Sequence, residues 1–275
     1  MPESPEVDVL TDVLRDTLAG RRMASVDVAE FRALKTRARP VSELVGRTVT
    51  DVVRHGKHIA VHTDGPVLVI SFGRAGWAAW RPDPAASADP PAPVIVTIVF
   101  EDAAELALTD AGGWLSLGVF VVDSADDVPA VAKLGPDPLA DDWSAADLDR
   151  IAVGRRKRLK ALLQEQESIA GIGNAYSDEI LYDAALPPLV AAADLDDDQR
   201  ARLHASVVGV LRSARDDRRG VPIAELKAAK VAAMRVHGRA GEPCAAGGVV
   251  LDVPGSKGAA QYCPARQTGG EVLAQ

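Results

Sequence analysis

The sequence predicts an α+β fold: a β-rich first part led by one helix, an all-helical second part, and a small terminal appendage. Three observations predict it. Leu10, Val13, Leu14 and Leu18 recur at helical spacing and Gly20 ends the run. From Ala24 the apolar period shortens into brief runs split by Gly, Pro or Asp, the mark of strands. From Ser144 onward the helical period returns.

Taken in order, residues 8–18 form the first helix. Residues 26–28, 48–55, 58–62, 67–72, 77–81, 94–100 and 106–109 read as strands, with Asp64-Gly65 as a hairpin turn. Residues 82–93, rich in Pro, Ala and Asp, are a loop with little to pack. This pattern describes an antiparallel sandwich. Ser144 then caps a helix over 144–153 with Asp147 in its first turn. Helices over 158–165, 176–182 and 196–212 follow, and Pro222-Ile223 begins a further short element. A Gly-rich tail from about Val236 holds both cysteines. The expected division is 1–130 for the sandwich, 131–235 for the helices and 236–275 for the appendage.

A chain of 275 residues has ample core for two domains, and 47% apolar with 25% charged residues is ordinary for a globular protein. Two cysteines argue against a disulfide scaffold and fit a reducing compartment. No basic segment followed by an apolar one opens the chain, and no apolar run reaches transmembrane length. The expectation is a cytoplasmic monomer with no membrane partner. A formal charge of -8 opposes a nonspecific nucleic-acid coat, although a local cationic groove steers phosphates whatever the total.

The amino terminus, Met1-Pro2-Glu3-Ser4-Pro5-Glu6-Val7, carries the most chemistry. With Met1 removed, which a small second residue favours, Pro2 becomes a secondary amine beside the Glu3 carboxylate. An amine with an adjacent proton shuttle can attack an electrophilic carbon such as the C1′ of a deoxyribose and form an iminium. The plain alternative is a stiff start followed by a solvated acid. Gly171-Ile172-Gly173-Asn174 lets backbone approach a phosphate, with an amide donor at the mouth of the next helix; it also suits a simple helix–helix turn. Arg155-Arg156-Lys157-Arg158 with Lys160 is the densest positive cluster, either solvated or set against a duplex backbone. If it binds phosphates, affinity falls steeply with salt.

These segments resemble, in order and over nearly the whole chain, the formamidopyrimidine-DNA glycosylase/endonuclease VIII family of bifunctional base-excision enzymes. Residues 2–7 resemble the family's amino-terminal motif, Gly56-Lys57-His58 its lysine turn, and Leu134-Gly135-Pro136-Asp137-Pro138-Leu139 its interdomain segment. Residues 160–164 through 170–182 resemble its helix-two-turn-helix core. The resemblance implies an N-terminal sandwich, a helix-two-turn-helix domain and a hairpin finger. It assigns catalysis to Pro2, Glu3, Glu6 and Lys57, with Pro2 as nucleophile, Glu3 as acid/base and Glu6 positioning the terminal segment. It assigns DNA contacts to Lys57, Lys160 and Asn174, of which Lys57 and Asn174 hold phosphates beside the lesion.

The chain departs from the family in two places. The family's finger is usually a Cys₄ zinc hairpin; here Cys244 and Cys263 remain, while Gly247 and Arg266 take the other two positions. Two thiolates cannot complete the tetrahedral set that structural zinc prefers, and His237 is a weak third candidate. The expectation is a zincless finger with no cofactor, its cysteines kept reduced, held by pairing of 249–253 with 259–262. The finger's minor-groove arginine aligns with Gly258, leaving Lys257 to supply the charge. Further upstream, Arg74 stands where the family's wedge methionine is expected. Asp110-Ala111-Gly112-Gly113-Trp114 replaces Asp-Pro-Arg-Arg-Phe, so the arginine that reads the orphaned cytosine is missing. Trp114 is either an intercalating ring or a core residue.

The expected function is therefore a DNA glycosylase and abasic-site lyase acting by β,δ-elimination on an everted nucleotide. Oxidised pyrimidines, hydantoins, single-stranded lesions or abasic sites suit it better than 8-oxoguanine opposite cytosine. The alternative is a noncatalytic binder of damaged or branched DNA.

Overall fold

The structure is a computed structural model describing residues 2–256 and 258–274. Met1 and Lys257, the latter expected to reach the minor groove, lie outside the described residues. The chain forms two compact units. The first holds Pro2, Glu6–Lys133 and Gly220–Leu226; the second holds Glu3–Pro5, Leu134–Arg219 and the chain from Lys227 onward. This differs from the three-part division expected from sequence. The finger belongs with the helices, and 220–226 returns to the sandwich unit. Apolar burial explains that return, since Leu226 is fully buried in the sandwich core and Trp77 Nε1 donates to the Ile223 carbonyl at 2.9 Å.

Helix α1, Ser4–Leu18, opens the fold. It starts earlier than the expected residue 8 because proline is tolerated in a first turn, where backbone N–H groups lack intrahelical partners. Val7, Leu10, Leu14 and Leu18 bury its apolar stripe in the sandwich core. Eight strands follow among the described residues: β1 Met23–Val28, β2 Val49–His55, β3 His58–Thr63, β4 Val67–Ser71, β5 Gly76–Arg81, β6 Val94–Phe100, β7 Glu105–Asp110 and β8 Gly118–Val122. They make two antiparallel four-stranded sheets, β1-β6-β7-β5 and β2-β3-β4-β8. Ile59, Val61 and Ile70 from one sheet share a core with Ile98, Leu106 and Leu108 from the other. Strand β8 was absent from the sequence reading: its near-continuous apolar run has no alternation to announce a strand, and pairing with β4 from Ser71↔Gly118 to Val67↔Val122 creates it.

Helix α2, Pro129–Ala132, closes the sandwich unit, and the helical unit resumes at Leu134. Its own helices are α3 Ala145–Ala152, α4 Leu159–Leu163, α5 Asn174–Asp183 and α6 Asp197–Asp216, with α7 Leu226–Ala233 continuing from the sandwich segment. Capping boxes start two of them. Ser144 with Asp147 opens α3, and Asp196 with Gln199 opens α6. Leu162, Leu163, Tyr176, Ile180, Leu203 and Leu211 lie at the centre of the core. The finger adds a short hairpin, β9 Leu251–Asp252 against β10 Gln261–Tyr262, and α8 Pro264–Gln267. The expected pairing of 249–253 with 259–262 is present in part, extended by a Val253 to Ala260 hydrogen bond. No described helix is long and apolar enough to cross a membrane.

Candidate active site and DNA-contacting elements

Glu3 is 1% exposed and sits on the amino end of α5. Gly173 N–H donates to its Oε2 at 2.5 Å, Ala175 N–H to Oε1 at 3.0 Å and Tyr176 N–H to Oε2 at 3.3 Å. These are among the orphan donors of a helix start, and the helix dipole favours an anion there. Lys230 adds an ion pair to Oε1 at 3.0 Å. The two glycines make the approach feasible. A Cβ on Gly173 would meet the Glu3 carboxyl carbon at 2.6 Å, and Gly171, with φ +87°, would meet the Ser4 side chain at 2.5 Å. Ser4 N–H completes the clamp by donating to the Gly171 carbonyl at 3.0 Å. Pro2 and Glu6 are both buried.

Around that helix start several polar side chains satisfy one another. Lys160 Nζ donates to the Asn174 carbonyl and Ser177 Oγ, each at 3.0 Å, and to Asp178 Oδ1. Burial pushes its ammonium below the usual lysine range, while Asp178 and Glu3 act the other way. Its three protons are thus spent within the unit. Lys160 braces the Gly171–Asn174 turn, whereas the sequence reading had it face a phosphate. The Asn174 amide nitrogen donates to the Ala259 carbonyl, and its Oδ1 accepts from Gln164 at 3.1 Å. Of the basic cluster, Arg155 and Lys157 pair with Glu165, whose pKa is lowered to about 2 by Lys157, Ser168 and Arg155 despite some burial. Arg156 and Arg158 are exposed, with no ion pair among the described residues.

The finger corrects one expectation and places the weak third candidate elsewhere. Cys244 and Cys263 are joined in a disulfide, not held as free thiols; burial beside Tyr182, Val236 and Val250 brings the sulfurs together. His237 faces α5, its Nδ1 at 2.7 Å from Asp178 Oδ2, so it does not join the cysteines. Glu179, 3% exposed, accepts from the amides of Arg235, Val236 and His237, and Gln261 N–H donates to Asp178. Asp178 and Glu179 therefore tie the finger to α5.

In the sandwich unit, Lys57 is half-buried in the two-residue Gly56-Lys57 turn between β2 and β3, where Gly56 has φ +56°. Arg74 is exposed in the turn before β5, and Trp114 is 89% exposed in the loop after β7. The core reading of Trp114 is thereby overturned. A buried carboxylate supports this pair of loops. Asp110, 4% exposed, accepts from Gly112 N–H, Ser116 N–H, Ser116 Oγ and Leu117 N–H at 2.7–2.9 Å. Burial alone would raise its pKa, yet these four donors hold it below the usual carboxylate value. Ser116 Oγ also accepts from the Arg74 and Ala75 amides at 3.0 and 3.1 Å. Gly73, at φ +56°, leaves room for the Ser116 carbonyl, which a Cβ would meet at 2.2 Å. One serine thus joins the Arg74 turn to the Trp114 loop.

Sequence reasoning missed Lys230, Ser116 and the bracing role of Asp110. Nothing marks Lys230 in sequence, where a lysine in an alanine-rich helix reads as a solvated face.

Comparison with known proteins bears on this arrangement. The formamidopyrimidine-DNA glycosylase N-terminal domain matches residues 1–114, and the formamidopyrimidine-DNA glycosylase H2TH domain matches residues 134–223. The chain is 30% identical to the formamidopyrimidine-DNA glycosylase of Geobacillus kaustophilus over 96% of this chain and 98% of that one. It is 32% identical to the one from Sphingopyxis alaskensis over 96% and 98%. An uncharacterized formamidopyrimidine-DNA glycosylase-like protein of Mycobacterium tuberculosis is 42% identical over 53% of this chain and 92% of that one. The fold is similar to that of Lactococcus lactis Fpg in complex with DNA containing an abasic site, with a TM-score of 0.84 at 21% identity over 96% and 99% of the two chains. The chain belongs to the formamidopyrimidine-DNA glycosylase family.

Proposed function

We propose that this chain is a DNA glycosylase with abasic-site lyase activity, acting on oxidised bases through the amine of Pro2. The observation that carries the reading is Glu3, held by three amides of the α5 start one residue from that amine. A flexible terminus would scatter the proton acceptor; this anchoring fixes it one residue from the amine in the chain, and orientation of this kind contributes to catalysis. The relatives bear names of DNA glycosylases, and solved neighbours hold an abasic site or an oxidised pyrimidine in DNA.

In this reading the damaged nucleotide is everted. Pro2 nitrogen attacks C1′, the bond from C1′ to the base breaks with its electron pair leaving on the base, and the amine proton passes to the Glu3 carboxylate. The nitrogen lone pair then opens the sugar ring: the C1′–O4′ bond breaks, O4′ takes the proton back from Glu3, and C1′ becomes an iminium that acidifies C2′. Loss of a C2′ proton expels the 3′ phosphate, and a second elimination expels the 5′ phosphate, leaving a one-nucleotide gap with phosphate ends. Glu6 positions the terminal segment from within α1. Lys57 and Asn174 meet phosphates beside the lesion, Asn174 by exchanging its Ala259 partner, and Lys257 supplies a minor-groove cation. Arg74 and Trp114, exposed on linked loops, fill the vacated stack. The chain acts as a cytoplasmic, DNA-associated monomer without a cofactor.

Borohydride capture on abasic DNA tests this. A covalent adduct is expected, with cleavage sharply reduced in Pro2→Gly and Glu3→Gln. Undiminished lyase activity in a Pro2→Gly protein with a blocked amino terminus would sink the assignment.

A further inference from the structure

Resting on that reading, we infer that Lys230 is a positioning residue for the reaction, holding Glu3 in place and keeping it a proton acceptor. Its Nζ lies 3.0 Å from Glu3 Oε1, and the two side chains are 8% and 1% exposed. The ammonium also stands 4.7 Å from the centroid of the Tyr176 ring, whose own amide donates to the same carboxylate. Lysine is almost never this buried without a specific partner, because removing its charge from water is costly.

A helix start needs only a capping acceptor, and Glu3 meets that need through the amides of Gly173, Ala175 and Tyr176. A buried cation on top of those donors is an additional expense for stability. What it does add is a fixed positive charge beside the group that must take a proton. Two lysines act on Glu3 among the described residues. Lys230 comes from α7, and Lys160 comes from α4, its charge coupled to Glu3 but already engaged by Asp178 on α5. The Pro2 amine is one residue away in the chain. Lys230 is thus a cation in direct contact with Glu3, and its loss raises the proton affinity of that carboxylate.

The test compares Lys230→Gln, Lys230→Arg, Glu3→Gln and the double variant Glu3→Gln/Lys230→Gln in the full-length protein with Met1 removed. The readouts are single-turnover borohydride capture on abasic duplex across pH, and DNA affinity. Lys230→Gln is expected to slow capture by about 10- to 100-fold at neutral pH, at or below the roughly 100- to 10,000-fold that a positioned proton acceptor itself contributes, because Glu3 remains. It should move the acid limb of the profile to higher pH and leave DNA affinity unchanged. Lys230→Arg should restore most of the rate, and the double variant should be no slower than Glu3→Gln. A Lys230→Gln profile that overlays the wild type overturns the inference. So does a double variant slowed beyond Glu3→Gln by the full Lys230→Gln factor, or a Lys230→Gln protein that does not fold. A wild-type protein that captures no abasic DNA fails the glycosylase reading itself, and the inference falls with it.

Discussion

Arg266 donates from Nε to the Tyr182 carbonyl at 2.6 Å and lays its guanidinium 5.0 Å from the ring of the same residue. Arg235 covers that ring as well, at 4.9 Å. Arg266 thus caps the last carbonyls of α5, those of Tyr182 and Asp183, where the dipole favours a cation. The Cys244–Cys263 disulfide adds a covalent staple to this helix cap.

The purified, oxidised protein is therefore expected to contain no stoichiometric zinc, and a chelator should leave its activity unchanged, while a reductant lowers its thermal stability. Closing a loop of 19 residues makes the disulfide worth about 3 kcal/mol in the chain-entropy account, so Cys244→Ser/Cys263→Ser should lose roughly that much. Arg266→Ala should lose about 1 kcal/mol, since its bonds are partly solvated. Elemental analysis, intact mass and thermal melts check these outcomes; about one tightly held zinc per chain in elemental analysis would contradict them.

Asp110 predicts a pH dependence. Its folded-state pKa is depressed by the donors of Gly112, Ser116 and Leu117 against the opposing effect of burial. A depressed carboxyl stabilises the fold above its unfolded pKa, about 3.9, and that contribution disappears as pH falls through the lower folded value. Stability should consequently drop below about pH 4 in the wild type, with a shallower drop in Asp110→Asn. At neutral pH, Asp110→Ala should cost about 2–3 kcal/mol, because buried donors lose a charged acceptor. Denaturant melts across pH measure both effects, and superimposable wild-type and Asp110→Asn profiles would refute the assignment.

Trp114 and Arg74 predict weak selectivity for the opposite base. Gly112 and Gly113 provide no side chain where an arginine would read cytosine, and a good bidentate pair contributes about 1–3 kcal/mol of discrimination. Excision of 8-oxoguanine paired with cytosine should be poor relative to an oxidised pyrimidine or an abasic site. Trp114→Ala should slow reaction on all lesions alike, because the exposed ring fills space and reads no hydrogen-bond pattern. Single-turnover rates on matched duplexes decide this, and a strong preference for 8-oxoguanine opposite cytosine over adenine would show that another residue performs the reading.

By itself, the sequence determined seven of the eight sandwich strands among the described residues, the long helices and the terminal Pro2-Glu3 segment. Alternation, helical spacing and turn residues are local signals, and they act before distant parts of the chain meet. Ser144 with Asp147 needed only residues three apart to announce a helix start. Tertiary structure alone decided which partners met across long separations. Glu3 and Lys230 pair across 227 positions, and Trp77 holds Ile223 across 146. It also turned Lys160 inward, exposed Trp114 and joined two cysteines that composition favoured as free thiols. The physical reason is that charge and apolarity mark what a side chain can do, whereas burial decides what it must do. An ammonium in water needs no partner, but one folded beneath a helix start must find a carboxylate.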